Sequence, residues 1–286
     1  MKTMPVPTGR TRWAFLFGHP VTHSFSPAMH NAAFSAIRID LAYGALDLPP
    51  EGTGTAVELL RSESVIGANV TVPYKEAVLP HLDEIDAEAK WLRSVNTLYK
   101  RGKKVVGTST DGAGFVRSLG RDVRALQGAA GLLIGAGGAA RAVAGALRKT
   151  GLRQLLVSDL AEDRVKSLVR LLRKAGSRME AVGVSRQEAE GSLSRLALVV
   201  QATPLGLHPG DPSPLQLTSA RPGTLAVDLI YHRKTPFLRQ AAARGLKPRD
   251  GLGMLLHQGA LSFELWTGRK APIPVMEAAL RKALGR

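Results

Sequence analysis

Leu132-Leu133-Ile134-Gly135-Ala136-Gly137-Gly138-Ala139-Ala140-Arg141 reads as a buried strand that runs into a glycine turn and then into an alanine-rich helix. That context makes a glycine motif credible as a dinucleotide site. Gly135 permits the tight turn, and Gly137 lets a pyrophosphate approach the backbone. Ala140 stands where a third glycine is usual, so the helix still packs closely on the sheet. Exposed N–H groups at the helix start, together with the helix dipole, favour phosphate charge. The plain alternative is a tight strand-to-helix turn with no ligand. The next strand ends at Ser158-Asp159. An acidic residue about 20 residues past the glycines typically accepts hydrogen bonds from the adenosine ribose and repels the extra phosphate of NADP. Asp159 therefore argues for NAD, although it or Asp163 can equally cap the helix that follows.

Outward from this motif, strand-length apolar runs alternate with helical patterns. Toward the C-terminus the pattern predicts a strand over Gly131–Ile134, a helix over Gly138–Thr150, a strand over Gln154–Ser158 and a helix over Arg164–Ala175. Further strands are predicted over Leu196–Ala202 and Thr224–Ile230, with a turn-rich loop over Gly206–Pro214. Toward the N-terminus, strands are predicted over Arg12–Phe17, Leu41–Leu46 and Ile66–Val72, and a helix over Pro27–Ile37. A hairpin is predicted around Arg101-Gly102, from Asn96–Tyr99 to Lys103–Val106. The alternation argues for parallel sheets covered by helices on both faces. Helical patterns over Gly251–Thr267 and Pro274–Leu284 close the chain. The pattern alone does not assign them to either half.

The 286 residues suffice for one large domain or two ordinary ones, and 44% hydrophobic content is enough for a sizeable core. Cysteine is absent, which excludes disulfides, thiolate metal sites and cysteine nucleophiles. None of the seven histidines falls in a convincing ligand spacing, so no metal is expected. Met1–Gly18 carries only a short apolar run, Trp13–Phe17, so no signal peptide is read. No run approaches the ~20 apolar residues of a membrane span. The expectation is a cytoplasmic protein with no membrane partner. The net charge of +16 raises the possibility of nucleic acid, but the basic residues are scattered (Arg117, Arg121, Arg148, Arg170), with no basic run and no interleaved aromatics. They read as solvated faces that also steer anionic ligands.

The N-terminal half carries a second set of unusual residues. Ser24 and Ser26, in His23-Ser24-Phe25-Ser26-Pro27, can aim two hydroxyls at one carboxylate, while Ser26 before Pro27 is equally a helix cap. Lys75 ends Asn69-Val70-Thr71-Val72-Pro73-Tyr74-Lys75 at a strand end, where a lysine can serve in a cleft; most lysines are simply solvated. Asn96 lies in Val95-Asn96-Thr97-Leu98 and Asp111 in Thr110-Asp111-Gly112, the latter with a turn or cap as its bland reading.

Taken in order, these blocks resemble the shikimate dehydrogenase family. They are joined by QATPLGL (201–207), VDLIYHRKTPFL (227–238) and DGLGMLLHQ (250–258), so the resemblance spans essentially the whole chain. It implies a two-domain α/β fold with a cleft between the domains. Residues 1–110, completed by helices in 251–286, would form the substrate domain, and 111–250 a Rossmann-type doubly wound NAD(P) domain. It implies Lys75 and Asp111 as the catalytic pair. Ser24, Ser26 and Tyr231 would hold the substrate carboxylate, and Thr71, Asn96, Asp111 and Gln258 the ring hydroxyls. At the cofactor it implies Gly135, Ala136, Gly137, Gly138 and Ala139, then Asp159, Arg164 and Thr203, with Gly251–Met254 near the nicotinamide. The reaction implied is reversible NAD(P)H-dependent reduction of 3-dehydroshikimate to shikimate on the way to aromatic amino acids, by a monomer or homodimer.

Three departures stand out. Thr108-Ser109 replaces the family's Asp-Asn before Thr110-Asp111-Gly112, and Gln201 replaces an asparagine. NADP-using members carry Asn-Arg-Thr where this chain has Asp159-Leu160-Ala161, so the resemblance tilts toward NAD(H) against a family default of NADP(H), with Arg164 as a partial rescue. The rivals are an NAD-dependent quinate/shikimate dehydrogenase, against which Ser26 leans, and a folate-type dehydrogenase, which the serine, Thr-Asp-Gly and Asp-Gly-Leu-Gly blocks oppose. A basic nucleic-acid-binding or regulatory protein on the same scaffold has only the net charge in its favour.

Overall fold

A computed structural model of the chain describes residues 7–174 and 176–286. Residues 1–6, part of the stretch read above for a targeting signal, and Ala175, where one predicted helix ends, lie outside the described residues. Two compact units emerge. Unit 1 is Met1–Gly114 with Leu255–Arg286, and unit 2 is Phe115–Met254.

Unit 1 opens with β1 (Arg12–Gly18), α1 (Ser26–Ala36), β2 (Leu41–Asp47), α2 (Thr53–Leu59) and β3 (Val65–Val70). It continues with β4 (Glu84–Ile85), α3 (Ala87–Leu92), β5 (Thr97–Arg101), β6 (Lys104–Thr108) and the start of α4 (Asp111–Leu119). The six strands form one sheet in the order β2-β1-β3-β5-β6-β4. This sheet is mixed: β5 runs antiparallel to β6, as the predicted hairpin requires, and also to β3, so the parallel pairing expected from strand–helix alternation does not extend across this unit. The reason is the Arg101-Gly102 hairpin, where Gly102 takes φ +61° and reverses the chain too tightly for a helical crossover. The reversal has a functional consequence. The start of β5 falls on the same sheet edge as the ends of β3 and β6, so Asn96, the loop after Val70 and Asp111 come from one edge.

Unit 2 contains β7 (Ala130–Ile134), α5 (Gly138–Leu147), β8 (Gln154–Ser158), α6 (Glu162–Lys174), β9 (Glu180–Gly183) and α7 (Arg186–Ser192). Then come β10 (Leu198–Gln201), β11 (Leu225–Asp228), α8 (Pro236–Ala243) and β12 (Lys247–Arg249). Its sheet is parallel throughout, in the order β12-β11-β10-β7-β8-β9. Counted within the unit this is the doubly wound dinucleotide order, with its switch point between β7 and β10. Every residue of β7 is buried because helices cover both faces. Leu132 and Leu133 are fully buried, each contributing about 2 kcal/mol of apolar burial. In α6, Val165, Leu168, Val169 and Leu172 form the buried stripe at helical spacing, while Arg164 and Arg170 lie exposed. Here the basic residues do occupy a solvated face.

The chain ends with α9 (Leu252–Thr267) and α10 (Ile273–Ala283), and α10 packs against α1 in unit 1. Among the described residues no helix is long and apolar enough to cross a membrane.

Candidate active site

Lys75 sits on the turn-rich segment after β3 and Asp111 at the first position of α4. The Lys75 ammonium donates to Asp111 Oδ2 at 2.5 Å, and the two side chains are only 17% and 8% exposed. The other carboxylate oxygen, Oδ1, accepts from Asn96 Nδ2 at 2.8 Å. Asn96 Nδ2 also lies 3.0 Å from Thr110 Oγ1 and 3.2 Å from Gln258 Oε1. Its own Oδ1 accepts the Thr110 N–H at 2.7 Å, which fixes the sense of the amide and keeps Nδ2 turned to the aspartate. Gln258 reaches this cluster from α9 because Gly114 has no side chain: a Cβ there would stand 2.6 Å from the Gln258 backbone nitrogen. Four predicted residues, Lys75, Asn96, Asp111 and Gln258, are thus brought together as one buried hydrogen-bonded group.

The other predicted substrate residues have separate surroundings. Ser26 begins α1, and its N–H donates to Ser24 Oγ at 3.3 Å. Thr71 is half-buried at the start of the Lys75 segment, with its N–H on the Phe17 carbonyl at 2.8 Å. Tyr231 belongs to unit 2, just past β11, with its ring edge-on to His232; burial raises its phenol above the ordinary tyrosine range.

In unit 2 the glycine turn follows β7. Gly135 takes φ +106°, and a Cβ on it would meet the Ala202 carbonyl oxygen at 2.8 Å, so only glycine fits. At Gly137 a Cβ would meet nothing within 4 Å, and no side chain caps the start of α5. The backbone of Gly137, Gly138 and Ala139 is therefore a half-exposed cradle of helix-start amides, which fits a pyrophosphate. Asp159 is held in place by the same turn: its Oδ2 accepts the Ala136 N–H at 2.7 Å and its Oδ1 the Ala161 N–H at 2.9 Å. Leu160 beside it is 96% exposed. Arg164 is exposed on the first turns of α6, near the acidic pair Glu162 and Asp163. Gly251 donates its N–H to the Ile230 carbonyl at 3.2 Å, and Met254 is buried on α9.

The departures also acquire physical content. Fully buried Gln201 folds the loop after β10: it donates to the Thr203 and Leu205 carbonyls at 3.2 and 2.7 Å and accepts the Thr203 N–H at 2.8 Å. Its extra methylene, relative to asparagine, is accommodated by this wrap. Thr108 donates to Asp86, whose other oxygen caps α3 through the Ala89 N–H at 2.9 Å. Nothing in the structure explains Ser109, whose buried hydroxyl has no partner.

Sequence reading missed several polar residues packed around the Lys75 cluster: Tyr43, Thr97 and Ser262, and a role for Asn69. The available signal was Ser262, a polar residue four positions after Gln258 and so on the same face of an apolar helix.

The chain is similar to known proteins over nearly its whole length. Residues 16–98 match the family described as the shikimate dehydrogenase substrate binding domain, and residues 251–281 the shikimate 5'-dehydrogenase C-terminal domain. A protein of Desulforamulus reducens named shikimate dehydrogenase (NADP(+)) is 41% identical over 285 residues, covering 97% of each chain. The crystal structure of shikimate 5-dehydrogenase from Thermus thermophilus in complex with NADP(H) and shikimate is 38% identical, with a TM-score of 0.84 over 96% of this chain and 100% of that one. Quinate dehydrogenase from Corynebacterium glutamicum in complex with NAD is 30% identical, with a TM-score of 0.87 over 95% of this chain and 99% of that one.

Proposed function

The chain belongs to the shikimate dehydrogenase family, and from that premise we propose that it interconverts 3-dehydroshikimate and shikimate with Lys75 and Asp111 as its acid–base pair. The observation that carries this reading is the 2.5 Å contact between the Lys75 ammonium and an aspartate whose other oxygen is already held by Asn96. Reduction of the C3 carbonyl develops negative charge on its oxygen. Lys75 delivers the proton that meets this charge, and in the reverse direction takes it back. Asp111 keeps the ammonium aimed, and a positioned acid–base group of this kind contributes about 10²–10⁴-fold. Ser24 and Ser26 donate hydroxyl hydrogen bonds to the substrate carboxylate, helped by the Tyr231 phenol. Thr71, Asn96, Asp111 and Gln258 hold the ring hydroxyls. A metal plays no part in this scheme.

When bound, the nicotinamide dinucleotide supplies the hydride for C3 or accepts it. The amides of Gly137, Gly138 and Ala139 hold its pyrophosphate at the start of α5, with Gly135 and Ala136 forming the turn. Thr203, Gly251 and Met254 contribute further cofactor contacts. We further propose a preference for NAD(H). Asp159 is pinned beside the glycine turn, and Glu162 and Asp163 add two carboxylates to the first turn of α6. Three carboxylates so close in sequence oppose a ribose phosphate, against Arg164 and against Lys166, whose ammonium lies 3.2 Å from Glu162.

The test is steady-state absorbance at the NAD(P)H band, with shikimate and quinate each assayed against NAD and NADP. Shikimate turnover with kcat/KM at least about ten-fold higher for NAD, a difference of about 1.4 kcal/mol, is expected. Folded protein with no turnover overturns the reaction. A preference for NADP overturns the role of Asp159, and a preference for quinate replaces the substrate.

A further inference from the structure

Behind the Lys75–Asp111 pair lies a layer of buried polar side chains that make no contact with the pair itself. Tyr43 comes from β2, Asn69 from β3, Thr97 from β5 and Ser262 from α9, and none is more than 5% exposed. Polar groups in such a place destabilise the fold unless each is satisfied, and a well-packed apolar core would serve stability as well or better. Asn69 is the hub. Its Oδ1 accepts the Tyr43 hydroxyl at 2.9 Å. Its Nδ2 reaches Ser262 Oγ at 2.9 Å, Thr97 Oγ1 at 3.2 Å and the Asn96 carbonyl at 3.2 Å. Thr97 Oγ1 in turn lies 2.8 Å from Ser262 Oγ, and donates to Asn96 Oδ1 at 3.1 Å. From Asn96 one further bond reaches Asp111. The Tyr43 ring is itself clamped by His30, which stacks on it at 4.5 Å with an interplanar angle of 13° and leaves both of its own ring nitrogens without a partner.

We propose that Asn69 is a positioning residue for the reaction, acting through Thr97 and Asn96 on Asp111, so that the carboxylate of the acid–base pair is set by one buried amide. This rests on the reading of Lys75 and Asp111 given above. The Asn69 side chain is hydrogen-bonded to Tyr43, Ser262, Thr97 and the Asn96 carbonyl. Its effect is to hold Asn96 so that Nδ2 faces the aspartate.

A residue that acts through Asn96 loses its influence once the Asn96 amide is gone, whereas a residue that merely supports the fold does not. The experiment measures kcat, shikimate KM and Tm for Asn69→Ser, Tyr43→Phe and Ser262→Ala, each alone and combined with Asn96→Ala. Asn69→Ser alone is expected to lower kcat about ten-fold, the equivalent of one to two hydrogen bonds. In the Asn96→Ala background the further loss should be under about two-fold. Tyr43→Phe, which keeps the ring and removes the hydrogen bond to Asn69 Oδ1, should lower kcat about three-fold, and much less in the Asn96→Ala background. If Asn69→Ser does not fold, Ser262→Ala supplies the same cycle by removing one partner of the hub. Equal fold-losses with and without Asn96 overturn the proposal, as does an unchanged kcat in a folded Asn69→Ser. An active wild type with additive losses sinks this inference alone. A wild type with no shikimate turnover sinks the catalytic reading first and this inference with it.

Discussion

The candidate site of unit 1 is made of side chains, whereas the glycine turn of unit 2 is made of main chain. Around Lys75 the aiming is done mostly by side chains, Asp111 by Asn96 and Lys75 and Asn69 by Tyr43, with the Thr110 N–H as the main-chain contribution that orients Asn96. Around Gly135 the aiming is done by a positive φ, a close carbonyl and the start of a helix. The first arrangement places charge and hydrogen bonds tightly but leaves orphaned buried atoms when any member is removed. The second tolerates most side chains and fails only where a Cβ collides.

That contrast can be broken at several points. Short of removing Lys75 itself, the largest effect is expected for Asn96→Ala, which strands Asp111 Oδ1 and the Thr110 N–H together; kcat/KM for shikimate should fall about 100-fold, the equivalent of two or three hydrogen bonds. In unit 2, Gly135→Ala forces a Cβ to within 2.8 Å of a carbonyl oxygen, and cofactor KM should rise about ten-fold or more. Ala139→Ser, on the same turn, should change it less than about two-fold, because a side chain is already accommodated there. A comparable loss in Ala139→Ser would mean that the turn is not a main-chain site. Asp159→Asn should move the NAD/NADP ratio of kcat/KM toward NADP by about ten-fold, measured in the same assay.

The remaining effects concern stability, not catalysis, and have opposite signs in the two units. His30, dry inside unit 1, has its pKa lowered by burial to about 3. The folded protein therefore binds fewer protons than the unfolded chain below pH ~6.5, and this group withdraws stability as pH falls from there toward 3. Asp228, fully buried in unit 2, has its pKa raised to about 6, chiefly by burial and against hydrogen bonds from Thr235 and the Ile230 N–H. Its contribution is complete below the unfolded carboxyl value near 4 and is lost as pH rises through about 6, a span of about 3 kcal/mol. In Tm measured against pH, His30→Leu should flatten the acid side of the profile and Asp228→Asn should remove a decline between pH ~4 and ~7. Because Asp228→Asn also disturbs the Thr235 bond, the slope decides and the absolute Tm does not.

The same contrast governs how much was legible in the sequence. The glycine turn was readable because its determinants are local: an apolar strand, glycines at fixed spacing and small residues opening a helix. Strands of five to seven residues and the long helices agree with the sequence pattern to within a few positions, except that the α5 pattern runs on to Thr150 while the helix ends at Leu147. The short elements left no trace. β12 is three residues, all exposed, and β4 only two, so neither shows alternation. In unit 1, Lys75, Asn96, Asp111 and Gln258 were reached through their motif blocks. Tyr43 and Ser262 were not, because one looks like a core aromatic in a strand and the other like a stray serine in an apolar helix. Their partner, Asn69, is 26 residues from the first and 193 from the second, and only the folded sheet edge reveals it.

The most direct test of the account is Lys75→Ala, assayed for kcat with shikimate and NAD alongside the dissociation constant of shikimate. The expected result is a fall in kcat of about 10²–10⁴-fold with shikimate still bound by the serines and the Asn96 cluster. A folded Lys75→Ala enzyme that keeps its kcat would contradict the assignment of Lys75 and Asp111 as the proton-handling pair.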